Sequence, residues 1–127
     1  MGLTLDDMIR VVIADDNDAV RYGLSVVMEL CEDMELMGEA ANGKEAVALC
    51  EQLHPDLVLM DLLMPKMDGV TATQVIREHF PDIQVLVLTS GVEPEMIDAA
   101  IEAGAQGCLE KHVTLEELTD AIRAAVA

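Results

Sequence analysis

Short apolar runs alternate along this chain with longer stretches in which apolar residues recur every third or fourth position. The runs are IRVVIA (9–14), MELMGEA (34–40), LVLM (57–60), QVLVLT (84–89) and GCLE (107–110). Each is short enough for a strand, and all but GCLE are rich in Val, Ile, Leu or Met. MELMGEA partly alternates apolar with polar, as an edge strand does. Between the runs lie helical patterns. Val20, Leu24, Val27 and Cys31 share one helical face in 18–31. Ala46, Val47, Leu49, Cys50 and Leu53 do so in 44–53. Val70, Val75, Ile76 and Phe80 mark a helix over 70–80 that stops at Pro81, and Met96, Ile97, Ala100 and Ile101 one over 94–103 that stops at Gly104. The last helix opens on Thr114-Leu-Glu-Glu117, a capping box expected to satisfy two free backbone amides, and continues through Leu118, Ile122 and Val126.

Strand then helix, five times over, predicts an α/β fold. Its form would be a three-layer sandwich: a five-stranded parallel sheet, helices on both faces, right-handed crossovers. With 127 residues and no repeat or linker, one domain over 9–127 is expected, behind a short N-terminal extension, 1–8. Tyr22 and Phe80 are the only aromatic residues, so the core must be Leu, Val, Ile, Met and Ala. The nine methionines, at core spacing, serve as gap fillers.

Charge narrows the partners. Asp and Glu total 25 against 7 Lys and Arg, a net charge of −18. That balance disfavours direct contact with nucleic acid or an anionic membrane and suits cations and basic protein surfaces, although much of it simply solvates helix faces. Cys31, Cys50 and Cys108 show no paired, CxxC or Cys/His zinc spacing, so free buried thiols in a reducing cytoplasm are expected. Asp6 and Asp7 precede the first apolar run, unlike a signal peptide, and no apolar stretch approaches the ~20 residues of a membrane span.

The polar residues that follow the strands carry the chemistry. Asp15 and Asp16 follow the first strand and Asp61 the third. Thr89 ends the fourth, before Ser90 and Gly91, and Lys111 follows the fifth. The second strand is followed only by a turn, Ala41-Asn42-Gly43. In open α/β sheets, ligands bind beyond the carboxyl ends of the strands. The strand order 2-1-3-4-5 makes strands 1, 3, 4 and 5 neighbours, so it delivers three Asp, one Thr and one Lys to a single rim. Two like charges about 4 Å apart cost roughly 4 kcal/mol at an effective dielectric near 20. Lys111 offsets part of that, and a divalent cation would offset more. All-oxygen donors suit a hard ion, with Mg²⁺ the natural choice. Asp61, a carboxylate set between Met60 and Leu62 in an apolar stretch, then has a use: it can attack phosphorus and become an aspartyl phosphate. Mg²⁺ and Lys111 would hold the phosphoryl oxygens and the Thr89 hydroxyl would bond another. Pro65, Asp68 and Gly69 read as turn chemistry that shapes the loop and starts the next helix.

VVIADDN (11–17), LVLMDLLMPKMDG (57–69), VLVLTS (85–90) and GCLEK (107–111) together resemble the receiver domains of two-component response regulators, over about 9–125. AVRYGL (19–24) and LEKHVTLEELTDAIRA (109–124) resemble the NarL/LuxR-type group. The resemblance implies the flavodoxin-like receiver fold and a site in which Asp61 takes a phosphoryl group from a cognate histidine kinase. Asp16, Asp61 and the backbone carbonyl of Leu63 would bind Mg²⁺, with Asp15 close by or acting through water. Thr89 and Lys111 would sense the phosphoryl group, and the change would bias an output or homodimer surface. Most members of the group continue into a helix-turn-helix domain that contacts DNA; none is present here, so an excised domain or a stand-alone receiver is expected. Two positions depart from the family: Cys108 stands where Tyr or Phe is usual, three residues before the lysine, and His112 where proline often follows it.

Other readings stay open on the residues alone. Asp15 to Asp18 can cap a helix, Asp61 a turn; Thr89 can be a core threonine and Lys111 a surface lysine. A Mg²⁺-dependent phosphatase using an aspartyl phosphate would need a second Asp two residues past Asp61, where Leu63 stands. A flavin protein of this architecture would need a Ser/Thr/Gly-rich loop after the first strand and aromatic residues to stack the ring. A receiver-shaped interaction module that is never phosphorylated remains, through Cys108. His54, His79 and His112 are assigned no role.

Overall fold

The computed structural model describes residues 7–127, so 1–6 of the expected N-terminal extension lie outside the described residues. Ten elements alternate: β1 (Ile9–Ala14), α1 (Asp18–Leu30), β2 (Met34–Ala40), α2 (Gly43–Leu53), β3 (Leu57–Met60), α3 (Gly69–His79), β4 (Gln84–Thr89), α4 (Pro94–Glu102), β5 (Gly107–Glu110) and α5 (Leu115–Val126). The sheet is wholly parallel in the order β2-β1-β3-β4-β5, as the rim argument requires.

Side chains alternate across a strand, so each apolar run supplies two cores. Val12, Ala14, Val58, Met60, Val85 and Val87 pack with Ala46 and Cys50 of α2, Ala72 and Ile76 of α3, and Ala100 of α4. Val11, Ile13, Leu57, Leu59, Leu86 and Leu88 pack with Met28 of α1 and Leu118 and Ile122 of α5. Burial on both faces is why β1, β3 and β4 read as unbroken apolar runs. β5 is an edge strand and only half-buried, which explains the weak signal of GCLE. Of the cysteines all are free, but only Cys50 is fully buried; Cys31 closes α1 and Cys108 is half-buried, which corrects the expectation of three buried thiols. No helix among the described residues is long and apolar enough to cross a membrane.

Helix starts follow short polar side chains. Asn17, Asn42, Asp68 and Thr114 each accept a bond from the backbone amide three residues on. At Asn42, within the stretch expected to be a plain turn, Glu45 also reaches back to accept from the Ala41 amide at 2.7 Å. α4 lacks a side-chain cap and starts instead with Pro94 in its first turn.

The β3–α3 loop is drawn tightly beneath the strand ends. The Gly69 amide donates to Leu62 O at 2.9 Å, and a Cβ at Gly69 would lie 2.0 Å from the Asp61 carbonyl oxygen. The Gly43 amide donates to Met67 O at 2.9 Å, with room for no Cβ there either. Gly69→Ala is therefore expected to destabilise the fold by roughly 2 kcal/mol or more, since main chain must shift. Gly23→Ala, in α1 with nothing within 4 Å of a new Cβ, is expected to stabilise it by about 0.5–1 kcal/mol. Urea denaturation of the two variants checks both signs.

Candidate functional site

Parallel register brings the four strand ends to within two residues of one another. Ala14 pairs with Met60, Met60 with Val87, and Thr89 with Glu110. The next residues extend the pattern: the Asp61 amide donates to Ala14 O at 2.9 Å and the Lys111 amide to Thr89 O at 3.0 Å. Asp15, Asp61, Thr89 and Lys111 thus converge at one edge because each is the last residue of its strand or the first beyond it.

Asp61 Oδ1 accepts from the Leu62 amide at 2.9 Å and from the Thr89 hydroxyl at 2.9 Å. Lys111 Nζ lies 2.7 Å from Asp15 Oδ2 and 3.3 Å from Asp61 Oδ2, bridging the two. Asp15 Oδ1 accepts from the Asn17 amide at 2.9 Å. Asp15, Asp61 and Thr89 are all at most 5% exposed, so this is a nearly dry polar cluster rather than a surface acidic patch. Asp16 is exposed, yet one carboxylate oxygen of each of Asp15, Asp16 and Asp61 falls within 4.8 Å of the others. Three carboxylates against one ammonium leave an excess of negative charge. Leu63, expected to offer its backbone carbonyl, lies two residues past Asp61 with its side chain exposed. Ser90 and Gly91 are exposed beyond Thr89.

Burial is the largest influence on Lys111 and works against its charge. The bond to Asp15 and the charges of Asp61 and Asp15 outweigh it and hold the ammonium above its ordinary pKa. Burial first, and then the charge of Glu110, push the Cys108 thiol up, so it stays protonated.

The remaining polar candidates are elsewhere. His54 closes α2 and meets Phe80 edge-on, His79 bonds back to Val75 O, and His112 pairs with Glu110 on the surface at 3.1 Å. Arg21, given no role by the sequence pattern, donates to the main-chain oxygen of Asp15 at 2.6 Å. Its one sequence signal is a basic residue a turn after the acidic run, three residues past Asp18.

The chain matches the response regulator receiver domain over residues 11–123. It belongs to the response regulator receiver domain family. This receiver domain is 44% identical over 115 residues to response regulator protein VraR of Staphylococcus aureus, an alignment covering 91% of this chain and 55% of VraR. The chain thus spans about half the length of the curated relatives it matches. Its fold superposes on the signal receiver domain of NarL from Mycobacterium tuberculosis with a TM-score of 0.90 at 31% identity, covering 94% of this chain and 97% of that one. A LuxR-family two-component response regulator from Aurantimonas gives 0.87 at 33% identity, covering 94% and 85%. The relatives are of the NarL/LuxR type, as the resemblance in AVRYGL and the last helix implied.

Because the folded-state pKa of Lys111 is raised, its ion pairs stabilise the receiver domain fully below the ordinary value of 10.5, and that contribution is lost as pH rises through the folded value. Lys111→Met is expected to cost roughly 1–3 kcal/mol at neutral pH, less than a fully buried pair because the lysine is partly exposed. The gap between wild type and variant should close as pH rises through the raised folded-state value of the lysine. Urea denaturation across that range measures it, and parallel curves would remove the lysine from the account.

Proposed function

We propose that this receiver domain is a phosphorylation switch that takes a phosphoryl group onto Asp61 from the phosphohistidine of a cognate histidine kinase, with Mg²⁺ bound by the adjacent carboxylates. The observation that carries the reading is the Asp61 carboxylate, buried at a strand end with a hydroxyl on one oxygen and an ammonium on the other. Oδ2, which carries the longer Lys111 contact, is the oxygen suited to attack. Its lone pair forms the O–P bond as the P–N bond breaks, and the electron pair of that bond returns to the imidazole nitrogen of the kinase. Lys111 moves its charge from the carboxylate to the new phosphoryl oxygens. The Thr89 hydroxyl exchanges Asp61 Oδ1 for one of them.

The donor set fits a hard divalent cation: three carboxylates within 4.8 Å of one another, no His or Cys, and an uncompensated negative charge. Asp16, Asp61 and the Leu63 carbonyl would hold it, with Asp15 close by or acting through water. Bound Mg²⁺ supplies charge that neutralises the phosphoryl oxygens. The receiver unit runs over 9–127. In a longer protein of the NarL/LuxR type it would govern a DNA-binding domain by shifting a population of two conformations, with homodimers as one outcome. Its net charge of −18 keeps its own surface off DNA.

Cys108 sets the output route. A small protonated thiol at this place in β5 has no ring to swing, so the movement of Thr89 passes to the loop that follows it, from Ser90 to Glu93, and on to α4. Cys108→Tyr is expected to enlarge the phosphorylation-dependent change in dimerisation or partner binding, read by sedimentation with and without phosphate donor.

Acetyl phosphate with Mg²⁺, followed by intact mass, tests the chemistry. One phosphoryl group should be gained, and none in the presence of EDTA or with Asp61→Asn, which should fold normally. A folded protein that binds Mg²⁺ and gains nothing, or an Asn variant that gains as much as wild type, would overturn the assignment.

A further inference from the structure

We propose that Arg21 is a positioning residue for the carboxylate cluster: its guanidinium holds the main chain at Asp15 and thereby fixes where Asp15 and Asp16 stand. The proposal rests on the metal-dependent reading of the same carboxylates.

Asp15 is the first residue past β1. The Ala14 carbonyl, the last on the ladder, is taken by the Asp61 amide, so the carbonyl of Asp15 has left the sheet. Asp15 is only 2% exposed, and a buried carbonyl without a donor is costly. Arg21 Nη1 supplies that donor at 2.6 Å. The other groups of Asp15 are also engaged: its amide by Ala40 O at 3.0 Å, Oδ1 by the Asn17 amide, and Oδ2 by Lys111. Arg21 therefore completes a set of bonds that leaves Asp15 little freedom to turn.

The guanidinium is itself anchored. Nη2 pairs with Asp18 in the first turn of α1, and Nε lies 3.5 Å from Glu39 Oε1 in β2. The Arg21 side chain is 17% exposed. One planar fork thus joins the β1–α1 loop, the helix that follows it and the neighbouring strand. A lysine, with a single ammonium, can serve one of these places but not all three.

Charge and position predict opposite signs here. Removing a positive charge near a cation site favours cation binding by Coulomb attraction alone. Releasing the Asp15 main chain disfavours it, because the carboxylates must then be ordered as the ion binds. The structure favours the second effect, since Asp18 and Glu39 already offset the charge of Arg21.

Calorimetric titration of Mg²⁺ into metal-free wild type, Arg21→Met and Arg21→Lys separates the two. Arg21→Met, shown to be folded by its thermal transition, should bind Mg²⁺ roughly tenfold more weakly, as loss of a partner behind a ligand usually costs. Arg21→Lys should recover part of that loss. Glu39→Gln, which leaves the bond to Asp15 in place, should change affinity by less than about twofold, as a partly exposed ion pair implies. Binding by Arg21→Met as tight as wild type or tighter overturns the proposal, as does an equal loss in Glu39→Gln. If Arg21→Met does not fold, Arg21→Lys carries the comparison, and unweakened binding there overturns it. Hydrogen exchange at the Asn17 amide, measured without metal, keeps the two readings apart. Should wild type bind no Mg²⁺, the metal reading fails, and an Asn17 amide that exchanges no faster in the variant overturns the brace as well.

Discussion

Lys111 Nζ stands 2.7 Å from Asp15 and 3.3 Å from Asp61, and the site depends on that placement. Both carboxylates are almost dry, and without the ammonium they would be poorly compensated buried charges. A lysine just past β5 reaches carboxylates just past β1 and β3 only because β1, β3, β4 and β5 run parallel, side by side, and end within two residues of one another. The register in turn depends on the two cores: slipping a strand by one residue would exchange its side chains between the α2–α4 face and the α1–α5 face. Hydrophobic burial thus fixes the sheet, the sheet fixes the rim, and one ammonium makes the rim tolerable. A cluster so built holds excess negative charge, which a hard cation is suited to relieve.

Loops beyond the strand ends are held by main-chain bonds rather than by bulk. Gly43 and Gly69 let the β3–α3 loop lie against Asp61 and the start of α2, where any side chain would collide with carbonyl oxygens. Arg21 takes the Asp15 carbonyl from the other side. These contacts leave Asp61 on a rigid support while Ser90 and Gly91, on the open side of Thr89, remain exposed. Rigidity on one side and exposure on the other keep the carboxylates in place while leaving the rim open to solvent. Cys108 in β5, opposite Val87, is a half-buried free thiol.

Much of this was legible in the chain. Apolar runs and helical spacing placed all ten elements, with helix ends shifted by a residue at several places because caps, not periodicity, decide where helices begin and end. The strand order followed from where Asp15, Asp61, Thr89 and Lys111 fell. Less legible was GCLE, since an edge strand has less core to bury and so less need of apolar residues. The roles of Arg21, Gly43 and Gly69 were not legible as contacts, because each is defined by an atom many ångströms of chain away: the Asp15 carbonyl, Met67 O, Asp61 O. The cap at Asn42, with Glu45 reaching back to the Ala41 amide, was hidden in what reads as a turn. Local composition determined the elements, the two-sided burial and the residue types at the rim, since these depend on spacing along one segment. The tertiary structure alone decided which oxygen meets which donor, because hydrogen bonds and ion pairs depend on distances across strands that only packing sets.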